Sequence, residues 1–261
     1  MRILTRPLLL AATLSALGAC SPAALTPDEI VPAFIAASQA DTRTMRMEWQ
    51  GTAAMHQREN PAFDPGMLNQ TISATFDFNG PDFAGTINSG IGGDTEYVSY
   101  ARVSGASFVN YSDAGWQRNV SIGGQPAPEL DPMHGLTAAD VAYEALDSLE
   151  GRQVHRLRVL DPLAALSGGL FDQSTFLGSG LTLNGPSDYL IYVDAEGIPV
   201  GAQMALALAA SGNAPDVDFS AVTLEIHFGY TFSLWGEPVA ISPPEVTGGG
   251  FDDIAPPPGI K

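Results

Sequence analysis

The sequence predicts an α+β protein: a broad, curved antiparallel sheet with helices over one face. Three observations carry this expectation. Long segments alternate apolar and polar residues with period two, the pattern of strands that bury one face. Turns containing Gly, Asn and Asp separate them at hairpin spacing. Helix-start signals are few for so much sheet. Composition agrees, since 45% hydrophobic residues with 15% charged, 28 Gly and 20 Pro fit a β-rich fold better than a disordered chain.

The chain opens with a leader. Arg2 and Arg6 precede an apolar run from Leu8 to Leu17. At about ten residues the run suits a bacterial secretory signal and is too short to span a bilayer. It closes on Leu17-Gly18-Ala19-Cys20, which looks like a lipobox and makes Cys20 the candidate for lipid attachment. Cys20 is the only cysteine. An unpaired cysteine is exceptional in an exported protein, and a thioether to lipid removes the exception. The competing reading is an ordinary secretion signal with a free thiol downstream. Residues 1–19 are expected as signal peptide and residues 20–25 as a lipidated tether.

Thr26-Pro27-Asp28-Glu29 then predicts a helix. Thr26 can cap it, Pro27 suits the first helical position, and Glu29 can reach back as a capping box. Ile30, Val31, Phe34 and Ile35 follow at helical spacing, with Pro32 expected to kink the helix. The next segment places Met45, Met47, Trp49, Gly51, Ala53 and Met55 on one face and mostly polar residues on the other. A second strand repeats this with Leu68, Ile72, Ala74, Phe76 and Phe78. Asn79-Gly80-Pro81-Asp82 turns the chain into further hairpin strands, including Tyr97 to Val103 and Phe108 to Tyr111. Gln125 to Pro132 reads as a loop.

Thr137-Ala138-Ala139-Asp140 repeats the start signal, and Val141, Ala145, Leu146 and Leu149 share a stripe, so a second helix is expected to about Leu149. Strands are expected at Gln153 to Leu160, Tyr189 to Val193 and Val200 to Leu208, with Leu163 to Ser174 open to a short helix. The strongest strand signal is the last. From Val222 to Leu234 every second residue is apolar, and at about 3.4 Å per residue this spans about 44 Å. The expected domain covers residues 26–244, followed by a flexible Gly/Pro-rich tail over 245–261.

Such strands need a cover for the apolar face, and two helices do not fill it. The sheet is therefore expected to enclose an apolar cavity, lined by Met45, Met47, Trp49, Ile72, Phe76, Leu224, Ile226 and Phe228. Methionine suits irregular apolar ligands. The competing reading is an ordinary packed core.

Several local patterns now point to a family. They are Phe108-Val109-Asn110-Tyr111 ahead of Gly115-Trp116, Leu149-Glu150-Gly151-Arg152-Gln153-Val154-His155, Tyr192-Val193-Asp194-Ala195-Glu196-Gly197-Ile198-Pro199, and Phe232 to Ile241 before Ser242-Pro243-Pro244. In this order they resemble the LppX/LprG lipoproteins and the wider LolA/LolB-like carriers over about residues 26–244. The resemblance implies a strongly curved half-barrel with helices over its concave face, taking acyl chains in its cavity. It also implies a role in moving or retaining lipids at the cell envelope. The alternative is an envelope sensor or scaffold that uses the same fold to contact a partner protein.

Charge narrows the partners. The net charge is −18 and Lys261 is the only lysine, so nucleic acid is excluded and anionic headgroups are repelled. The expected partners are an apolar or acylated ligand such as a palmitoyl lipid, the membrane through the anchor, and an envelope protein. The expected location is the bacterial cell membrane, the outer one where there are two, because Ser21 and not aspartate follows Cys20. No enzyme chemistry, cofactor or metal is expected. His56, His134, His155 and His227 are scattered, and no nucleophile elbow or phosphate loop is present. Asn213, Asp216 and Asp218 read as a polar turn before a calcium site.

Overall fold

The computed structural model describes residues 25–40, 42–57, 69–91, 94–111, 114–118, 131–165, 180–211, 213–214, 217–218 and 222–247. The elements are helix α1 (Pro27–Ser38), β1 (Thr44–Gln57), β2 (Asn69–Asn79), β3 (Asp82–Ile91), β4 (Asp94–Val103), β5 (Ala106–Tyr111), β6 (Gln117–Arg118), β7 (Val141–Leu149) and β8 (Arg152–Val159). They continue with the one-turn helix α2 (Pro162–Ala165), β9 (Gly180–Leu183), β10 (Asp188–Val193), β11 (Pro199–Ser211), β12 (Asn213–Ala214), β13 (Val217–Asp218) and β14 (Val222–Ser233). A 12-stranded sheet runs in the order β6-β5-β4-β3-β2-β1-β14-β11-β10-β8-β7, with β9 on the far end of β11. The sheet is antiparallel, curved and unclosed. β12 and β13 form a separate ribbon.

Pleat and register put one set of side chains on each face. Met45, Met47, Trp49 and Ala53 of β1 are buried with Ala74, Phe76 and Phe78 of β2 and Leu224, Ile226, Phe228 and Phe232 of β14. Helix α1 lies against β7 and β11 and adds Ile30 and Phe34, both fully shielded, to the same core. Its start is as expected. The Glu29 carboxylate accepts from the Thr26 backbone N–H at 2.8 Å and from the Thr26 hydroxyl at 2.7 Å, and Pro27 stands first in the helix.

The expected second helix is corrected by the structure. Thr137 donates its backbone N–H and hydroxyl to Asp140 at 2.8 and 2.6 Å, repeating the contact made by Thr26 on Glu29. The start signal is therefore real, yet Val141–Leu149 continues as strand β7, paired with β8. Glu150 (φ 51°) and Gly151 (φ 81°) join the two strands. A two-residue hairpin turn of this kind needs positive φ at both central positions. A register shift between Tyr143 and Ala145 breaks the period-two pattern and gives the segment its helix-like spacing. Among the described residues, α1 is then the only helix longer than one turn to lie over the apolar face.

After β14 the chain turns through Leu234 (φ 53°) and Gly236 (φ 75°) and runs past the strand ends. Gly236 donates to the Thr44 carbonyl at 2.9 Å, Asn79 Nδ2 to the Val239 carbonyl at 3.0 Å, and Thr247 to the Trp116 carbonyl at 3.2 Å. Val246 makes a parallel bridge to Trp116. The described chain thus reaches Thr247, three residues beyond the expected domain end at 244.

Two inward glycines allow the sheet to bend. A Cβ on Gly51 would stand 2.0 Å from the His227 carbonyl oxygen and 2.2 Å from Phe228 Cδ1. One on Gly85 would stand 2.1 Å from the Thr75 carbonyl oxygen and 2.4 Å from Phe76 Cδ1. In each case an aromatic ring from the paired strand covers the glycine. The Gly51→Val variant should therefore lose about 3 kcal/mol of stability by overpacking. Urea unfolding measures this, and an unchanged midpoint would contradict the packing.

On the other face, Glu144 sits between Arg158 and Arg156, and Arg158 also pairs with Asp188. The hydrogen bond from Arg158, aided by Arg156, holds the Glu144 carboxyl below its usual range. A lowered folded-state pKa contributes stability above the unfolded value, lost as pH falls through the folded one. Glu144→Gln should cost about 1 kcal/mol at pH 7, and its difference from the parent should vanish in acid. A pH-independent difference in urea midpoint would argue against the pairing.

Candidate functional site

Strands β1, β2 and β14 build the apolar face. The register sets Met45 opposite Phe78, Met47 opposite Phe76 and Phe232, and Ile226 opposite Ala53. Trp49 meets Phe228 edge-on, with ring centroids 4.9 Å apart, and lies 6.1 Å from Tyr230. All eight residues expected to line a cavity therefore share one face. Met45, Met47, Trp49, Phe76, Leu224, Ile226 and Phe228 are buried, and Ile72 is half-buried against them.

The cluster extends well beyond those eight. Met204, Leu206 and Leu208 of β11, Tyr189 and Ile191 of β10, Leu157 of β8 and Met133 join it. The alternation of Ala202, Met204, Leu206 and Leu208 was the sequence signal that could have found the β11 set. Met133 carried no such signal, since it lies in a turn outside the strands. Two tyrosines stand in this apolar layer. Burial pushes the Tyr189 and Tyr230 phenols above their ordinary range, so both stay neutral. Tyr189 donates to the Pro132 carbonyl at 2.8 Å, which satisfies the buried hydroxyl.

At one end of this face lies a charged depression of about 390 Å³ bordered by Phe78, Arg43, Asp131, Arg102 and His134. Arg43 bonds Asp131 at 2.5 Å and also donates to the Ser38 carbonyl. The two side chains are only 9% and 2% exposed, so each is held by the other's charge. The Asp131 carboxylate also accepts from the Met133 backbone N–H at 3.0 Å. The pair anchors the Asp131–Leu136 turn to the end of α1. Arg43→Met should cost about 3 kcal/mol, measured by urea unfolding, and adding Asp131→Asn should restore part of it. Equal stability of Arg43→Met and the parent would remove the pair from any structural role.

Two larger depressions open on the opposite, polar face, at about 520 and 510 Å³. Of the eight expected lining residues, only Trp49 and Ile72 border them. Among the described residues, no group of three His, Cys, Asp or Glu side chains could hold a metal ion. His227 and His134 are exposed, and His155 is buried with its Nδ1 3.4 Å from the Tyr143 hydroxyl. Asn213 and Asp218 are cross-strand partners in the β12–β13 ribbon. Cys20, Asp216 and most of the residue 163–174 segment lie outside the described residues. No described helix is long and apolar enough to cross a membrane.

No family model and no curated protein matches the chain. A solved structure of a LolA superfamily protein from Nitrosomonas europaea resembles it at 9% identity, over 81% of this chain and 93% of that one, with a TM-score of 0.25. A likeness this loose carries no argument about fold or function.

Proposed function

We propose that the protein is a lipid-anchored envelope lipoprotein that binds an acylated or otherwise apolar ligand against the inner face of its sheet, as LppX/LprG-like carriers do. One observation supports this above the others. The apolar face runs without interruption from β8 across β10, β11, β14, β1 and β2 to β3, while one three-turn helix lies over it among the described residues. Apolar burial at roughly 25 cal/mol per Å² would supply the binding energy. Met45, Met47 and Met204 give the face side chains that can change rotamer to admit an acyl chain. Attachment at Cys20 would hold the domain at the membrane, since its acidic surface gains nothing from anionic headgroups.

A second reading is favoured by a specific observation. The inner-face residues are closely packed, with Met45, Met47, Phe76 and Ile226 fully shielded from solvent. A closed interior suits a sensor or scaffold that contacts a partner protein. Exposed large apolar residues are scattered, though. Among the described residues these are Leu146 in β7, Leu160 just after β8, Leu183 in β9 and Val246 in the segment after β14.

Native mass spectrometry of a Cys20→Ser chain from an envelope-producing host decides between them. A discrete extra mass that extracts as lipid is expected, and Ile226→Glu in a still-folded chain should lose it. A clean apo mass with no uptake of fluorescent fatty-acyl probes would move the assignment to the scaffold. Labelled palmitate should enter the parent chain and not Cys20→Ser; equal labelling would place the anchor elsewhere.

A further inference from the structure

The polar face of the sheet is built in rows across the strands. One row reads Asn88, Ser73, Gln50, Gly229, Gln203, each residue the cross-strand partner of the next. Neighbouring strands lie about 4.8 Å apart, so the backbones of Gln50 and Gln203 stand about 9.6 Å apart with a glycine between them. A Cβ at Gly229 would meet nothing within 4 Å, so the glycine leaves an open slot at the centre of the depression of about 520 Å³. The adjacent row reads Thr75, Glu48, Thr231, Gly201, Tyr192. The Tyr192 hydroxyl donates to Gln203 Oε1 at 3.2 Å, which leaves the Gln203 amide hydrogens for another acceptor. The second depression shares Gln50 and Ser73 with the first and also has a glycine, Gly90, paired with Thr71 on one side and Thr95 on the other. The two form one continuous strip.

We propose that this strip is a binding site for a neutral oligosaccharide. The backbone groups of these interior strands are spent on their neighbours, so recognition falls to side chains. Hydroxyls and carboxamides both donate and accept, which matches sugar hydroxyls, and the Glu48 and Glu150 carboxylates, which also border the first depression, accept further hydroxyl hydrogens. Gln50, Ser73, Thr75 and Thr231 make no side-chain hydrogen bond to another described residue, in contrast to the Arg156–Glu144–Arg158 network on the same face. Among the described residues, no lysine or arginine borders either depression, so these side chains offer an anionic glycan or a phosphate no counter-charge. Leu149 and Val200 give an apolar wall for the C–H faces of a sugar ring. An extended peptide would need an unpaired strand edge, which the centre of the sheet does not offer. The strip lies on the face opposite the apolar one, so it stands independently of the acyl-ligand reading.

The test is an NMR shift titration of the full chain in zwitterionic micelles with three tetrasaccharides: β-1,4-linked N-acetylglucosamine, α-1,4-linked glucose and α-1,4-linked galacturonate. At least one neutral tetramer should bind, and galacturonate should bind more weakly. Gly229→Val fills the slot in open space and at ordinary φ, so it should keep the parent's urea midpoint and its uptake of fluorescent fatty-acyl probes. It should weaken the neutral tetramer about tenfold or more, and Gln203→Ala should weaken it too. The proposal is overturned by absence of neutral-tetramer binding at millimolar concentration, by binding that both variants leave unchanged, or by a preference for galacturonate.

Discussion

Strands β1 and β14 are joined by 12 consecutive residue pairs, from Arg46 with Ser233 to Gln57 with Val222. Because side chains alternate with period two, that ladder fixes the facing of each strand outward from it. A one-residue slip of β1 would carry Met47 and Trp49 into water and bring Glu48 and Gln50 into the core, and a slip of β14 would do the same with Ile226 and Glu225. Gly51 makes the register harder to change, since the Phe228 ring occupies the space that a side chain at this position would need. Both candidate sites therefore rest on the same parity: an apolar face on one side and rows of hydroxyls and carboxamides on the other.

The two faces differ in how they meet their needs. Inside, polar atoms are few and mostly paired, as with Tyr189 on Pro132 and Arg43 on Asp131, while Arg43 Nε and Gln117 Oε1 are buried without a hydrogen bond. Outside, charge is concentrated toward β7, β8 and β10, where Arg156 and Arg158 tie three carboxylates together. Between these zones lies the strip of hydroxyls and carboxamides, whose charged lining among the described residues is Glu48 and Glu150.

Most of the sheet was legible because one-sided burial writes itself into alternate residues. β1, β2, β11 and β14 could be read in this way, and so could the turn at Gly197, where φ is 82° and Asp194 accepts from the Glu196 and Ile198 N–H groups. Strand β7 could not. Its Thr137–Asp140 contact is the same one that starts α1, and the shift at Tyr143 scrambles the alternation. Only the positive-φ pair Glu150-Gly151 marked a hairpin there. The eight lining residues were read as one face because they alternate along single strands. The polar strip was invisible, because its slot depends on which residues stand beside Gly229 on other strands. Such neighbours are fixed by register and have no local trace in sequence.

Strand order also has a consequence for how the chain can fold. β1 to β6 form one run of neighbours and β7, β8, β10 and β11 another, and β14 is the single strand that joins them. Its partners β1 and β11 each present an unpaired edge until it arrives. The β1–β14 ladder also closes a very long stretch of chain, which makes its formation slow. A polypeptide delivered from its amino end must therefore hold two open half-sheets, each with a bare apolar face, until its last strand emerges. During that interval it is open to mispairing with a second copy or to capture by a chaperone.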